Sequence, residues 1–237
     1  MKKRKKGKLL IIILIVGILA GIALIVFYPV LQMAPTETGY ISDTGVFAVG
    51  NSGGTVYLIK TESGYIMIDA GSEPGEIETV LSGQGIAAGE VKWTFLTHSD
   101  SDHVASLPLF PDAEIYMSED EIDLVNGTKK RNAFSYNRLP VSIDGILLVR
   151  DMQELEIGGV KVECLKTPGH TPGSMSYLVD GKYLFTGDAC KIYEGKYGIH
   201  PFTMDKGRAG KTIEALKSMP GNDEYHVFTA HYGYHKS

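Results

Sequence analysis

Thr97-His98-Ser99-Asp100-Ser101-Asp102-His103 places four candidate metal-binding side chains within six residues, directly after the apolar run Val91–Thr97. That run reads as a buried strand, so the motif lies at a strand's C-terminal end. Imidazole and carboxylate together suit first-row metals such as zinc, iron or manganese. A turn leaving a strand can aim several such side chains into one cavity. A regular strand cannot, because alternate residues face opposite ways. Taken alone, the stretch also fits an ordinary polar turn, since Asp and Ser are common turn residues.

Three further stretches repeat the arrangement. His170 lies in Thr167-Pro168-Gly169-His170-Thr171-Pro172-Gly173-Ser174, where Pro and Gly impose a tight bend after a strand. Asp188 lies in Thr186-Gly187-Asp188-Ala189, and His231 in Ala230-His231-Tyr232-Gly233, each after an apolar run. A fourth run, Tyr65–Ile68, ends in Asp69-Ala70-Gly71.

The ordered set resembles the metallo-β-lactamase superfamily: a strand ending in Asp69-Ala70-Gly71, then His-x-x-x-Asp-His, then TPGHTPGS, then TGD, then a last histidine. The resemblance covers about residues 45–235. It implies an α/β fold, an αββα sandwich with a dinuclear site at one edge of the two sheets. Carried over by position, His98 and His170 resemble ligands of a first metal, and Asp102, His103 and His231 those of a second. Asp188 resembles the carboxylate that bridges them, and Asp69 an acid that orients ligands from behind. The cofactor implied is one or two divalent ions, zinc above all.

Asp100 departs from the family pattern, whose usual motif is His-x-His-x-Asp-His. A carboxylate in the middle position makes the first site harder, favouring iron or manganese relative to an all-imidazole set. Asp is also shorter than His, which leaves a single-metal site open. His200, in the loop after Asp188, is a candidate substrate contact. His226 and His235 have no motif around them, and His226 reads as a packed side chain. The expected chemistry is hydrolysis by a metal-activated water attacking an ester, thioester, lactone or lactam, with Asp102 also orienting or accepting a proton. One alternative is an extracytoplasmic phosphodiesterase or nuclease related to DNA-uptake channel domains, which Asp100 favours. A second is a non-hydrolytic iron protein of the same fold.

Around the motifs, strands are expected at 46–49, 55–60, 65–68, 91–97, 113–117, 146–149, 160–165, 174–179, 183–186 and 225–230, and helices at 73–81, 118–125 and 206–219. Asp180-Gly181 reads as a hairpin turn. The segment 128–140 reads as an exposed loop with Lys129-Lys130-Arg131 on a solvated surface. Cys164 and Cys190 are too few for a disulfide framework and read as small buried hydrophobes.

The N-terminus has a different character. Residues 1–8 carry six cations and no acid, and the twenty residues Leu9–Tyr28 carry no charge. Twenty helical residues span roughly 30 Å, the thickness of a bilayer's hydrocarbon core. The expected organisation is a basic cytoplasmic tail at 1–8, a transmembrane anchor at 9–28, a tether at 29–44 and a catalytic domain at 45–237. The basic flank keeps the N-terminus cytoplasmic and places the domain outside. With 43% hydrophobic and 22% charged residues, the chain can build a core. Setting aside the six N-terminal cations, its net charge of −5 becomes −11 for the remainder. An acidic domain argues against a nucleic-acid partner and for a small-molecule substrate.

Overall fold

The computed structural model describes residues 2–221 and 224–236, with the side chains at 2–11, 23, 25 and 26 left out. The chain divides into two compact units, 1–33 and 34–237.

The first unit is the helix α1 (Lys2–Leu31). Its described side chains at Ile12–Val16 and Ile18–Leu19 are apolar and at least half exposed. The expected anchor at 9–28 lies partly outside the described residues. Among the described residues no helix is long and apolar enough to cross a membrane, so the structure does not bear that expectation out.

The second unit is a sandwich. One sheet has the order β1 (Gly39–Tyr40), β2 (Val46–Asn51), β3 (Gly54–Thr61), β4 (Gly64–Ile68), β5 (Val91–Phe95), β6 (Glu114–Ser118) and β7 (Ile146–Val149). The other contains β8 (Gln153–Ile157), β9 (Val160–Lys166), β10 (Met175–Val179), β11 (Tyr183–Gly187), β14 (His226–Thr229) and β15 (Tyr234–Lys236). A separate ribbon pairs β12 (Lys191–Tyr193) with β13 (Lys196–Gly198). Among the described residues, α-helices complete the unit: α2 (Pro74–Gly83), the single turns α3 (Ser101–Val104) and α4 (Ile122–Val125), and α5 (Lys206–Lys217).

Three apolar layers hold these elements together. Tyr57, Ile68, Phe95, Val162, Tyr177, Phe185 and Phe228 fill the space between the sheets. Ile77 and Leu81 of α2 pack with Met67 and Leu96 on the outer face of the first sheet. Ile213 and Leu216 of α5 pack with Leu184 and Val227 on the outer face of the second. This is the expected αββα order. Inner strands such as β10 are buried along their whole length, because they are covered on both faces. Asp180 (φ 51°) and Gly181 (φ 62°) form the expected hairpin turn between β10 and β11, closed by the Lys182 N–H donating to the Val179 carbonyl at 3.1 Å. Helix 118–125 is split into a 3₁₀ turn, Glu119–Glu121, and α4, with Ser118 capping the first.

Two tyrosines cross the sandwich. Tyr57 of the first sheet donates to the carbonyl of Thr229 in the second, 2.7 Å away, and Tyr177 of the second donates to Leu96 in the first at 2.7 Å. Both hydroxyls are deeply buried, so each bond satisfies groups that water cannot reach. Tyr57→Phe and Tyr177→Phe should each lower unfolding free energy by about 1–3 kcal/mol with the circular dichroism unchanged. Denaturant titration measures this, and unaltered midpoints would show that neither bond clamps the sheets.

Candidate metal centre

Strand direction gathers the polar residues. β4 and β5 run parallel, as do β11 and β14, while β9 is two antiparallel steps from β11 and so runs with it. Asp69, the 97–103 loop, the 167–174 loop, Asp188 and His231 follow the C-terminal ends of these strands, and they meet at one edge of the sandwich. Among the described residues, three groups each hold their ligand atoms within 4.8 Å of one another: His98, His170 and Asp188; Asp102, His103 and His231; and Asp188, His200 and His231. Asp188 lies between the first two groups. Its Oδ2 is 3.4 Å from His170 Nε2 and 3.7 Å from His103 Nε2, and its Oδ1 is 3.3 Å from His231 Nε2.

Two glycines make the approach tight. At Gly187 (φ +51°) a Cβ would sit 2.4 Å from the Thr97 hydroxyl, so only glycine lets β11 deliver Asp188 beside the 97–103 loop. At Gly169 (φ +144°) a Cβ would meet the backbone of Ala209 at 2.5 Å, which seats the His170 turn against α5.

Asp69 organises the donors from behind. It adopts φ +59°, an unusual backbone for a residue with a side chain. Its carboxylate accepts the Thr97 N–H at 2.8 Å, the Thr97 hydroxyl at 2.8 Å and His103 Nδ1 at 2.8 Å. Because the Thr97 hydroxyl gives its proton to Asp69, its lone pair is left to accept from His98 Nδ1, 3.1 Å away. Each imidazole thus turns its Nδ1 to an oxygen behind it and its Nε2 toward the other ligand atoms. Those two Nε2 atoms and Asp188 Oδ1 are buried without a hydrogen-bond partner. Buried lone pairs facing one another are costly unless a cation satisfies them. This nitrogen-and-oxygen set fits a divalent ion of the zinc or iron type.

The charges agree with such a site. Burial works to raise the Asp188 carboxyl, but His200, His231, His170 and His103 together hold it well below the usual range. Asp102 is likewise held down to about 2, against the effect of burial, by His103 and His231. Burial lowers His170, and it lowers His200 to about 3, keeping both rings neutral. His231 is raised to about 9 in spite of its burial, by Asp188 and Asp102.

Asp100 is placed differently from the other candidates. Arg131 grips it through Nε at 2.7 Å and Nη2 at 2.8 Å, and Asn137 donates to it at 2.8 Å. The same Arg131 Nη2 lies 3.0 Å from His170 Nε2 and donates to the Phe202 carbonyl at 2.9 Å. Asp100 is in none of the three convergent groups, although its Oδ2 stays within 3.5 Å of His98 Nε2. The reading of Lys129-Lys130-Arg131 as a solvated surface holds for the first two and fails for the third. Lys129 pairs with Asp123 in the open, whereas the Arg131 side chain is only 11% exposed. Its turn inward is matched by Asp100, a half-buried carboxylate whose charge it neutralises.

Glu121 was also not legible as part of the site. Fully buried, it accepts the Ser99 N–H at 3.0 Å and hydroxyl at 2.6 Å through one oxygen. Its other oxygen accepts Thr171 Oγ1 at 2.8 Å and the Gly173 N–H at 3.1 Å. It thereby joins the 97–103 loop to the His170 loop. In sequence it is one acid in a Glu-Asp-Glu run, with nothing to set it apart. His226 is packed as expected, bonded to Tyr234 at 2.7 Å, and both cysteines are buried and free.

Comparison with known proteins agrees with this geometry. The family model described as Metallo-beta-lactamase superfamily matches residues 49–231. A probable polyketide biosynthesis zinc-dependent hydrolase of Bacillus subtilis, PksB, is 38% identical over 126 residues, covering 52% of this chain and 48% of that protein. A hydroxyacylglutathione hydrolase of Glaesserella parasuis is 30% identical over 182 residues, covering 74% of this chain and 64% of that one. The chain thus spans about half to two thirds of the length of these relatives. Among solved structures, a metallo-beta-lactamase of Cronobacter sakazakii with an HARLDQ motif superposes with TM-score 0.65 at 21% identity, covering 84% of this chain and 80% of that one. Motif order, fold and site geometry point the same way: the chain belongs to the metallo-beta-lactamase superfamily.

Proposed function

We propose that this protein is a metal-dependent hydrolase of small acyl compounds, with thioesters and esters as its first substrate class. The observation that carries the reading is the ring of buried, unpartnered donors, His98 Nε2, His103 Nε2 and Asp188 Oδ1, facing one cavity. The relatives named as a hydroxyacylglutathione hydrolase and a zinc-dependent hydrolase support it.

His98, His170 and Asp188 would hold one ion, and Asp102, His103 and His231, with Asp188 shared, a second. A bound ion supplies Lewis acidity, lowering the pKa of water and withdrawing electrons from a scissile carbonyl. Asp102 is the member of the set open to solvent, 35% exposed, with His103 and His231 holding it ionised. It is placed to orient the attacking water and to take its proton. Asp69 keeps His98 and His103 in the tautomer that leaves Nε2 available. The cation of Arg131 neutralises Asp100 and steadies the edge of the cavity at Phe202.

The uncharged run at 9–28 and its basic flank support a further proposal, attachment to the membrane with the domain outside. Alkaline carbonate extraction of cell membranes tests it. The protein should stay in the pellet, and release into the supernatant would exclude an integral anchor.

Two measurements test the catalytic reading. A panel of thioester, ester, lactone, β-lactam and phosphodiester substrates should show thioester or ester turnover that a chelator abolishes and added zinc restores. Turnover of the phosphodiester alone, or full activity without metal, would overturn the assignment. Asp69→Ala, which leaves every proposed ligand in place, should weaken metal binding by about 10–100-fold, read by competition with a chromophoric chelator.

A further inference from the structure

His200 is buried to 2% exposure in the loop between β13 and α5. The loop is pinned there by its backbone: Met204 donates to the His170 carbonyl at 3.1 Å and Asp205 to that of Gly169 at 2.9 Å. The imidazole is held against His170, with ring centroids 4.8 Å apart, and against His231, at 5.3 Å. Its Nε2 lies 3.5 Å from Asp188 Oδ2. Neither ring nitrogen has a hydrogen-bond partner.

A merely packed histidine in this chain looks different. His226 is bonded to the Tyr234 hydroxyl at 2.7 Å, and His235 to the Tyr232 carbonyl at 2.7 Å. Leaving a buried polar group without a partner is costly, so an unsatisfied imidazole among other donors needs a reason. At the opposite end of the cavity, Arg131 and Asn137 occupy the carboxylate of Asp100, and Arg131 Nη2 lies within 3.0 Å of His170 Nε2. The motif's middle position therefore offers no free donor.

We propose that His200 is a metal ligand, acting with Asp188 and His231 at the imidazole-rich end of the site. The ion is a divalent transition metal of the zinc, cobalt or iron class, which a neutral imidazole suits. The assignment rests on the metal-dependent reading above. It replaces the expectation that His200 touches substrate.

His200→Cys in the full chain gives a direct test. Loaded with cobalt(II), it should show a near-ultraviolet thiolate-to-cobalt absorption that the wild-type chain lacks, because a thiolate at a ligand position binds the metal. His200→Gln should weaken zinc binding at least about tenfold in a chelator competition and lower the zinc-to-protein ratio after dialysis. His226→Gln, a buried histidine away from the cavity, should leave the ratio unchanged. Wild-type metal content with unchanged affinity in His200→Gln and no new absorption in His200→Cys would overturn the role of His200 and leave the hydrolase reading intact. A wild-type chain that takes up neither zinc nor cobalt would sink both.

Discussion

The carboxylate of Asp69 is the constraint on which the site depends. It sits in an unfavourable backbone conformation at the end of β4 and, by accepting the backbone and hydroxyl of Thr97 together with His103, ties β4 to the loop that follows its parallel neighbour β5. The same bonds decide which nitrogen of His98 and of His103 carries a proton. Backbone strain, strand spacing and imidazole tautomer are thus settled by one buried acid.

Around it the charges are distributed unevenly. The Asp188 end is rich in imidazole, with His103, His170, His200 and His231 all within reach of one carboxylate. The Asp100 end is neutralised inside the protein by a guanidinium. Burying a carboxylate without a cation would be costly, so Asp100 and Arg131 are understood as a pair. Glu121 adds a second buried acid, satisfied by two backbone N–H groups and two hydroxyls. It fixes the distance between the loops that carry His98 and His170, one from each sheet.

The sequence by itself determined the fold class and the positions of the main donors. Apolar runs of strand length ending in Asp69, His98, Asp188 and His231 are local features, and a strand's end is where a side chain leaves the ladder and becomes free for chemistry. Gly187 and Gly169 were readable as turn residues, although the need for glycine at each comes from contacts with Thr97 and Ala209 far away in the chain. Tertiary structure alone decided the roles of Arg131, Asn137, Glu121 and His200. Arg131, Asn137 and His200 lie in segments whose local composition fits an ordinary loop, and Glu121 in a short helical segment where it is one acid among three. What recruits them is a partner 22 to 50 or more residues away for the acid and the arginine, and the pinning of the 200–205 loop to the His170 turn for the histidine. Local patterning fixes where a chain becomes strand or turn, but a carboxylate such as Asp100 meets its counter-ion, and Glu121 its donors, only once loops far apart in the chain have been brought together.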